Sequence, residues 1–436
     1  MKFSLIYPTR HRPKFVEMAL RFLEKEAYKN FEVIISDNYT DVSFSCEAYC
    51  RNSSLENIKY VKPPTPVGMV DNWNFALQHA TGDYVFYFTD KMFLLPGTLS
   101  YVADVLKKNQ VEIISWVDSK YTPLRMPDYF GEGVYTEGRS AVPSGKLFIE
   151  YDPREELKKK AFAKVSRGEQ DASHYARGKI CFGGYKRRLV DRVLDRAENL
   201  FHDISPDYTS MILGLSLATS AIEIKPPGIV HINTDLSNGG QGAIRDEHAL
   251  AYLMSLQGGI RMFEDMLVPQ LYSSTHNCVA HDYISLRRKY DFEYQLNVVN
   301  WLVYINEDLN VADRVWSSRE VESRHRQLLE NFIEKSMTKK EAEEYCKKLA
   351  ARLLMRNSIK KNDLSSVGRL VRVLIRYIIP EFILRLLKRI AFPRRSLSLK
   401  IKCNKLIDIL KKTNARYWFN FYYFMAISFT VVMNDV

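Results

Sequence analysis

The sequence FSLIYPTRHRPKFVEMALRFLEKEAYKNFEVIISDN, residues 3–38, contains the pattern that decides the fold. Its two ends are short apolar runs rich in β-branched and aromatic residues, which are typical of buried strands. Between the two runs, apolar residues recur at the spacing of one helix face, at Phe15, Met18, Ala19 and Phe22. A strand, a helix and a second strand in this order predict the beginning of a parallel sheet.

The same alternation continues as far as residue 117. NIKYVKPP (57–64) is a weaker third strand, and DYVFYFTD (83–90) and VEIISWV (111–117) are the next two. Helices are predicted between them, from Met69 to Ala80 and from Pro96 to about Leu106, where a proline suits the first helical turn. We therefore predict an α/β domain with a mostly parallel sheet and helices on both faces.

Polar residues stand at the ends of three of these strands. The three groups are Pro8, Thr9 and Arg10, then Ser36, Asp37 and Asn38, then Thr89 and Asp90. Ligands of such sheets bind at the carboxyl ends of the strands, so these groups predict a binding site along one rim. A carboxylate at a strand end is also often only a helix cap. No glycine-rich dinucleotide or P-loop motif is present, which argues against those two kinds of site.

Two blocks of the sequence resemble the N-terminal half of the family 2 glycosyltransferases. These are enzymes of the GT-A fold that move a sugar from a nucleotide diphosphate to an acceptor. The blocks are YPTRHRPKFVEMALRFLEKEAYKNFEVIISDNYTD (7–41) and NWNFALQHATGDYVFYFTDKMFLLPGTL (72–99). The resemblance is strong over about residues 1–120 and looser over 180–240, and it predicts a GT-A-like fold for this chain.

The resemblance also implies a nucleotide-sugar donor, with UDP-sugars favoured, and residues that bind it. Asp37 is expected to accept a hydrogen bond from the base, and Asn74 is expected to lie below the diphosphate. The position before Asn74, often an arginine in the family, is Trp73 here. The residues expected to line the nucleotide pocket are Pro8, Thr9 and Arg10.

The largest departure from the family follows the fourth strand. There the family has two or three carboxylates that bind a divalent cation, Mg²⁺ or Mn²⁺, which stabilises the charge of the leaving diphosphate. This chain has Thr89-Asp90-Lys91-Met92 instead. Asp90 with several waters can still form a weak metal site, whereas Lys91 can place an ammonium group against the diphosphate in place of the metal. In a third possibility, Lys91 faces solvent and the site is inactive.

One further metal ligand is a candidate by resemblance. His231, in GIVHINTDLSNGG (228–240), lies where some family members have a histidine that binds the cation. A lone histidine at a strand end is more often structural, and a metal-independent site therefore remains an alternative.

The candidate general base lies in NLFHDISPDYTSMILGLSLA (199–218). Inversion at the anomeric carbon needs one group that removes the proton of the acceptor hydroxyl, and in the family an aspartate just before a helix does this. Asp207 matches that place best, and Asp203 and His202 are rivals. A simple N-cap role for Asp207 is the structural alternative.

The rest of the chain divides by composition. Residues 1–242 are predicted to form the GT-A-like domain, with residues 120–178 as an acceptor-side insertion or lid, and residues 243–365 a helical region. The segment 366–436 is a basic amphipathic and then apolar tail. Between residues 366 and 416 it has 14 basic and 2 acidic residues, so it accounts for the whole net charge of +12.

This distribution of charge disfavours a nucleic-acid partner for the globular part. The tail is typical of a helix that lies on an anionic membrane surface, with a helical core or a dimer contact as the alternative. Six scattered cysteines and an N-terminus without a signal-peptide pattern favour a cytoplasmic protein on the inner face of the cell membrane.

Together these patterns predict an inverting glycosyltransferase that acts on a glycan or lipid-linked acceptor, of the surface polysaccharide or lipopolysaccharide type. An inactive scaffold that binds nucleotide sugars is one alternative, favoured by Lys91. A nucleotidyltransferase is a weaker alternative, because the glycine-rich basic loop expected after its first strand is missing.

Overall fold

The structure is a computed structural model that describes residues 1–163, 172–311 and 313–358. Residues 1–329 form one compact unit, and the described residues of the second unit, 330–358, are largely helical. The predicted tail, 366–436, lies outside the described residues. Within the described part of the chain, no helix combines the length and the apolar character needed to span a membrane.

Two sheets organise the first unit. The larger has eight strands in the order β3-β2-β1-β4-β10-β6-β11-β9, and the smaller has four in the order β5-β12-β7-β8. The strands are β1 (Phe3–Thr9), β2 (Phe31–Asp37), β3 (Ile58–Val61), β4 (Tyr84–Tyr87), β5 (Met92–Leu94), β6 (Ile113–Ser115), β7 (Ser119–Pro123), β8 (Gly133–Thr136), β9 (Phe148–Tyr151), β10 (Gly183–Lys186), β11 (Ala221–Ile224) and β12 (Ile229–Ile232).

The helices follow the strands and close both faces of the larger sheet. They are α1 (Pro13–Leu23), α2 (Glu47–Asn52), α3 (Met69–Leu77), α4 (Thr98–Lys108), α5 (Pro153–Ala161), α6 (Ala172–Ala176), α7 (Arg187–Ala197), α8 (Pro206–Leu217), α9 (Asn238–Ile244), α10 (Asp246–Met254), α11 (Arg261–Glu264), α12 (Thr275–Tyr290), α13 (Val298–Leu309), α14 (Arg319–Ser336) and α15 (Lys339–Ser358).

The strand pairing confirms a mostly parallel sheet. β1 is parallel to both β2 and β4, and Thr9 at the end of β1 is in register with Asp37 at the end of β2. β10 runs antiparallel to β4 and to β6, so β4 and β6 point the same way. The carboxyl ends of β1, β2, β4 and β6 therefore lie along one rim, as the sequence predicts for the first, second and fourth strands.

The central strands of the larger sheet supply both hydrophobic cores because their side chains alternate between the two faces. In β1, Leu5 and Tyr7 join a core with α1 and α4, whereas Ile6 joins a core with α3, α7 and α8. Trp73 of α3 belongs to the second core, where it stacks on Tyr87 with ring centroids 5.1 Å apart. Trp73 is thus a packing residue in this structure.

Some elements differ from the prediction in their bounds. α4 begins at Thr98 because Gly97, with a φ of 90°, takes the N-cap position, so Pro96 precedes the helix instead of starting it. The segment 120–178, which looked loop-rich, contains the β7–β8 hairpin, β9 and α5. Helices α9 to α13 belong to the same compact unit as the sheets, which extends past the boundary expected near residue 242.

A substitution at Gly82 can measure how closely β1 and β4 are packed. A Cβ at this position would lie 2.6 Å from the Ser4 backbone nitrogen and 2.8 Å from the Phe3 carbonyl carbon. We expect Gly82→Ala to lower the free energy of unfolding by about 1–3 kcal/mol, because backbone atoms of the central strand must move. Urea unfolding measures this effect.

The matched control is Gly239→Ala, because a Cβ there would meet no atom within 4 Å. We expect its effect to stay within about 0.5 kcal/mol. Equal stabilities of the two variants would contradict the close packing at Gly82.

Candidate functional site

Asp90 follows β4 on the rim, and the protein itself binds both of its carboxylate oxygens. Thr9 Oγ1 donates a hydrogen bond to Oδ2 at 3.0 Å, and Arg12 Nη1 donates to Oδ1 at 2.9 Å. The Asp90 side chain is 5% exposed and that of Arg12 is 21% exposed. This is a partly buried ion pair, in which each charge depends on the other.

Arg12 also fixes the loop that follows β12. Its Nη2 donates to the Leu236 carbonyl oxygen, and the Tyr129 hydroxyl donates to Asp235 Oδ1 at 2.7 Å. The sequence analysis did not single out Arg12. The one sequence feature that could have identified Arg12 as a site residue is its place between a strand end and Pro13, the first residue of α1.

Asp37 lies at the end of β2, fully buried. Its Oδ2 accepts hydrogen bonds from the Cys46 backbone N–H at 2.7 Å and from the Tyr60 hydroxyl at 3.0 Å. Its Oδ1 is buried with no hydrogen-bond partner among the described residues, and burial raises the pKa of this carboxyl. An unsatisfied acceptor at a strand end is a group that a ligand N–H can satisfy.

The other predicted nucleotide contacts lie in two places. Pro8 and Thr9 are buried in β1, and Arg10 is exposed, with its Nη1 donating to the Val67 carbonyl oxygen at 3.4 Å. Asn74 uses both ends of its amide on the backbone of Phe201, which places it against the loop before α8.

Lys91 is buried beside Asp90. Burial lowers the pKa of its ammonium group, Asp90 opposes this effect and Arg12 adds to it. No hydrogen bond of Lys91 Nζ is found within residues 1–163, 172–311 and 313–358. The main chain of Lys91 is fixed, because its carbonyl oxygen accepts a hydrogen bond from the Ile232 N–H at 2.9 Å.

His231 lies in β12, the strand between β5 and β7. It is opposite Met92 of β5 on one side and Lys120 of β7 on the other. Burial, together with the nearby ammonium groups of Lys91 and Lys120, lowers the pKa of His231 to about 3. The ring is therefore neutral at physiological pH.

These residues do not fit a divalent cation at the rim. Both oxygens of Asp90 are already bound, and His231 is close to two ammonium groups that would repel a metal. The positions after Asp90 carry Lys91 and Met92, and neither side chain is a ligand that Mg²⁺ prefers. The predicted metal roles of Asp90 and His231 thus lack support from the donor set.

Another group of side chains that could bind a metal ion lies away from Asp90 and His231. In the described ranges, one ligand atom each from Asp203, His281 and Asp282 lie within 4.8 Å of one another. Two of the three already have structural partners: Lys289 Nζ binds Asp203 Oδ1 at 2.8 Å, and Asp282 accepts the N–H groups of residues 204 and 205.

Asp207 occupies the first turn of α8. Lys179 Nζ donates to its Oδ2 at 3.1 Å, and the Asp207 side chain is 27% exposed. The Lys179 ammonium also lies over the rings of Tyr175 and Tyr208, at 3.8 and 3.6 Å from the centroids. Burial disfavours this ammonium, but Asp207 and the tyrosines raise its pKa well above the usual value. Lys179 and Asp207 therefore form an ion pair beside two aromatic rings.

The alternative N-cap role for Asp207 is wrong, because α8 begins at Pro206 and its N-cap is Ser205. Among the rivals, Asp203 is bound to Lys289, and His202 bonds through Nε2 to the Asn199 carbonyl oxygen at 2.8 Å. Neither rival lines the cavity described next, whereas Asp207 does.

A cavity of 690 Å³ lies beside Asp207. Its walls come from the start of α8, the β7–β8 hairpin, α10 and the start of α12. Residues that contribute polar groups to the lining include Asp118, Lys120, Arg139, Tyr175, Asp207, Tyr208 and Tyr252. Asp118 was missed by the sequence analysis, although it follows the strand VEIISWV directly, as Asp37 and Asp90 follow theirs.

Comparisons with known proteins agree with the resemblance. Residues 4–164 match the family model described as glycosyl transferase family 2. A curated relative, the GalNAc(5)-diNAcBac-PP-undecaprenol beta-1,3-glucosyltransferase of Campylobacter jejuni, is 29% identical over 100 residues, which are 23% of this chain and 32% of that protein. The match thus spans about a third of the relative's length.

Solved structures give weaker likenesses. S. aureus TarS 1-349 in complex with UDP-GlcNAc has a TM-score of 0.40 at 15% identity, over 71% of this chain and 81% of that chain. The mannosyltransferase PcManGT from Pyrobaculum calidifontis, in complex with GDP-Man and Mn²⁺, has a TM-score of 0.36 at 16% identity, over 83% and 88%. The family assignment rests on the sequence match alone.

The role of Arg12 in fixing the loop after β12 can be measured. Arg12→Ala removes both the hydrogen bond to Leu236 and the partner of Asp90, so we expect faster amide hydrogen exchange over residues 233–241. Arg10→Ala is the matched control, because Arg10 is exposed and bonds only weakly, to Val67. Unchanged exchange in Arg12→Ala would show that other contacts hold the loop.

Proposed function

Residues 4–164 match the model of glycosyl transferase family 2, and from that match we propose that the chain transfers a sugar from a nucleotide diphosphate donor to an acceptor hydroxyl with inversion. UDP-sugars are the favoured donors. The observation that carries the proposal is the Asp207 carboxylate, bound to Lys179 on the wall of a 690 Å³ cavity that Asp118 at the end of β6 also lines.

In this proposal the nucleotide binds along the ends of β1 and β2. The unpartnered Oδ1 of Asp37 accepts a hydrogen bond from an N–H of the base, as uracil can provide. Pro8, Thr9 and Arg10 form the adjacent wall. The support is the register of Thr9 with Asp37, which places these strand ends at the same level.

The diphosphate is placed near Lys91. Arg12 neutralises Asp90, so the Lys91 ammonium leaves this part of the rim with a net positive charge. Negative charge grows on the diphosphate as the bond to the sugar breaks, and a preorganised ammonium stabilises it most in the transition state. No step of this scheme uses a metal.

Asp207 is proposed as the general base. Its Oδ2 is bound to Lys179, while its Oδ1 makes no hydrogen bond with the described residues. In one displacement, the acceptor oxygen attacks the anomeric carbon and the bond to the diphosphate breaks. The hydroxyl proton passes to Asp207, and the nucleoside diphosphate leaves with the bonding electrons.

For the acceptor, we propose a glycan or a lipid-linked glycan. The name of the C. jejuni relative describes a glucosyltransferase that acts on an undecaprenol-linked glycan, which supports this class. The basic, amphipathic pattern of the tail supports peripheral binding to the anionic inner face of the cell membrane. The second candidate is an inactive scaffold that binds the donor without turnover. It is favoured by Lys91, which follows Asp90 where the family has a further carboxylate.

The first test asks which nucleotide sugars raise the melting temperature, since a ligand of the folded state stabilises it. With the donor found, we expect Asp207→Asn to lower turnover by at least about a hundredfold and to keep donor binding, because only the proton acceptor is lost. Release of nucleoside diphosphate measures turnover.

Asp203→Asn is the control for this test. If it abolishes turnover while Asp207→Asn does not, the general base is Asp203. A wild-type chain that binds a nucleotide sugar and never turns it over with any acceptor would favour the scaffold.

The second test addresses the metal. We expect wild-type activity to persist in excess chelator and Mn²⁺ binding by spin resonance to be absent, because the donor set at the rim is occupied. Lys91→Ala should lower kcat more than donor affinity, since charge on the diphosphate grows in the transition state. Lys107→Ala, at an exposed helical lysine, is the control.

Lys91→Asp restores a carboxylate and should make activity depend on metal. Loss of wild-type activity in chelator, rescue by Mn²⁺ and no effect of Lys91→Ala would together show that Asp90 holds a metal and that Lys91 has no role.

A further inference from the structure

Asp118 is a buried carboxyl beside the Trp116 indole. The residue lines the cavity and is 5% exposed, and by geometry neither Oδ1 nor Oδ2 has a hydrogen-bond partner among the described residues. An unsatisfied buried carboxyl costs free energy in the folded state. A group of this kind on a cavity wall points to a ligand that satisfies it.

We propose that Asp118 binds hydroxyl groups of the donor's sugar and so distinguishes a nucleotide sugar from the nucleotide alone. This inference rests on the proposed function. It adds a residue that determines specificity to a cavity in which another carboxylate, Asp207, is proposed to act on the acceptor.

The position of Asp118 on the rim supports the assignment. β4 and β6 point the same way and are separated only by β10, so their ends lie about 10 Å apart. The proposed diphosphate site, at Lys91, follows β4, and Asp118 follows β6. A hexose ring with its hydroxyl groups can bridge this separation, and the order base, diphosphate and sugar then follows the order of the strands.

The backbone at Asp118 is held rigidly. A Cβ at Gly138 would lie 2.7 Å from the Asp118 carbonyl oxygen, so the hairpin returns directly against this residue. The Ser119 Oγ accepts hydrogen bonds from the Gly138 N–H at 3.1 Å and from the Tyr135 hydroxyl at 3.0 Å. A fixed backbone gives the carboxyl the defined position that a specificity group needs.

The chemistry of the carboxyl favours a polyol over a phosphate. Burial raises the pKa of Asp118 well above its usual value, and the Trp116 indole and Lys120 offset only part of this. A protonated carboxyl donates one hydrogen bond and accepts others, which suits neighbouring hydroxyl groups. A phosphate would be repelled whenever the carboxyl ionises.

Calorimetric titration of the full chain tests the inference with UDP-glucose, UDP-GlcNAc and GDP-mannose, each against its own nucleoside diphosphate. We expect Asp118→Ala to weaken binding of the nucleotide sugar about 10- to 100-fold and to leave the nucleoside diphosphate within about twofold. Asp118→Asn, which keeps a donor and an acceptor, should fall between wild type and Asp118→Ala. Asp104→Ala, at an exposed helical aspartate, is the control.

The melting temperature separates a binding role from a structural one. If the role of Asp118 is to bind a ligand, Asp118→Ala should melt at the wild-type temperature or above, because an unsatisfied buried carboxyl has been removed. A lower melting temperature, with equal loss of affinity for both ligands of a pair, would overturn the inference, and so would unchanged affinities. A wild-type chain that binds none of these ligands would overturn the proposed function and the inference together.

Discussion

The rim of the larger sheet depends on the ion pair between Arg12 and Asp90. The guanidinium binds the carboxylate that follows β4 and the Leu236 carbonyl in the loop after β12, so it joins parts of the chain 78 and 224 residues away. A partly buried carboxylate must be paired or bind a cation. With Lys91 and Met92 next in the sequence, Asp90 stands without a neighbouring acid, and one arginine is enough to neutralise it.

Because a buried carboxylate needs a partner, the acids of the site divide into two groups. Asp90, Asp203 and Asp207 each have a basic partner of their own, Arg12, Lys289 and Lys179. Asp118 and the Oδ1 of Asp37 have no hydrogen-bond partner within the described residues. The ion pairs hold the site in shape, and the buried carboxyl oxygens without a partner are where a ligand gains the most from binding.

Local pattern was enough to predict β1, β2, β4, α1 and the rim, because periodicity and strand ends are properties of neighbouring residues. Local pattern could not predict the residue pairs that define the site. These are Arg12 with Asp90, and Asn74 with Phe201, which is 127 residues further along the chain. The smaller sheet was missed because β5 has only three residues and its partner, β12, lies far along the chain. Asp118 could have been predicted from the sequence, because it follows a predicted strand directly, and the same kind of position identified Asp37.

The β7–β8 hairpin also bears on how such a chain diverges during evolution. β8 is an edge strand that pairs with β7, its exposed residues include Val134 and Tyr135, and the residues just after it line the cavity. Insertions and substitutions in this edge can reshape one wall of the cavity while the rim and both cores stay intact. The choice of ligand in the cavity can therefore change without loss of folding.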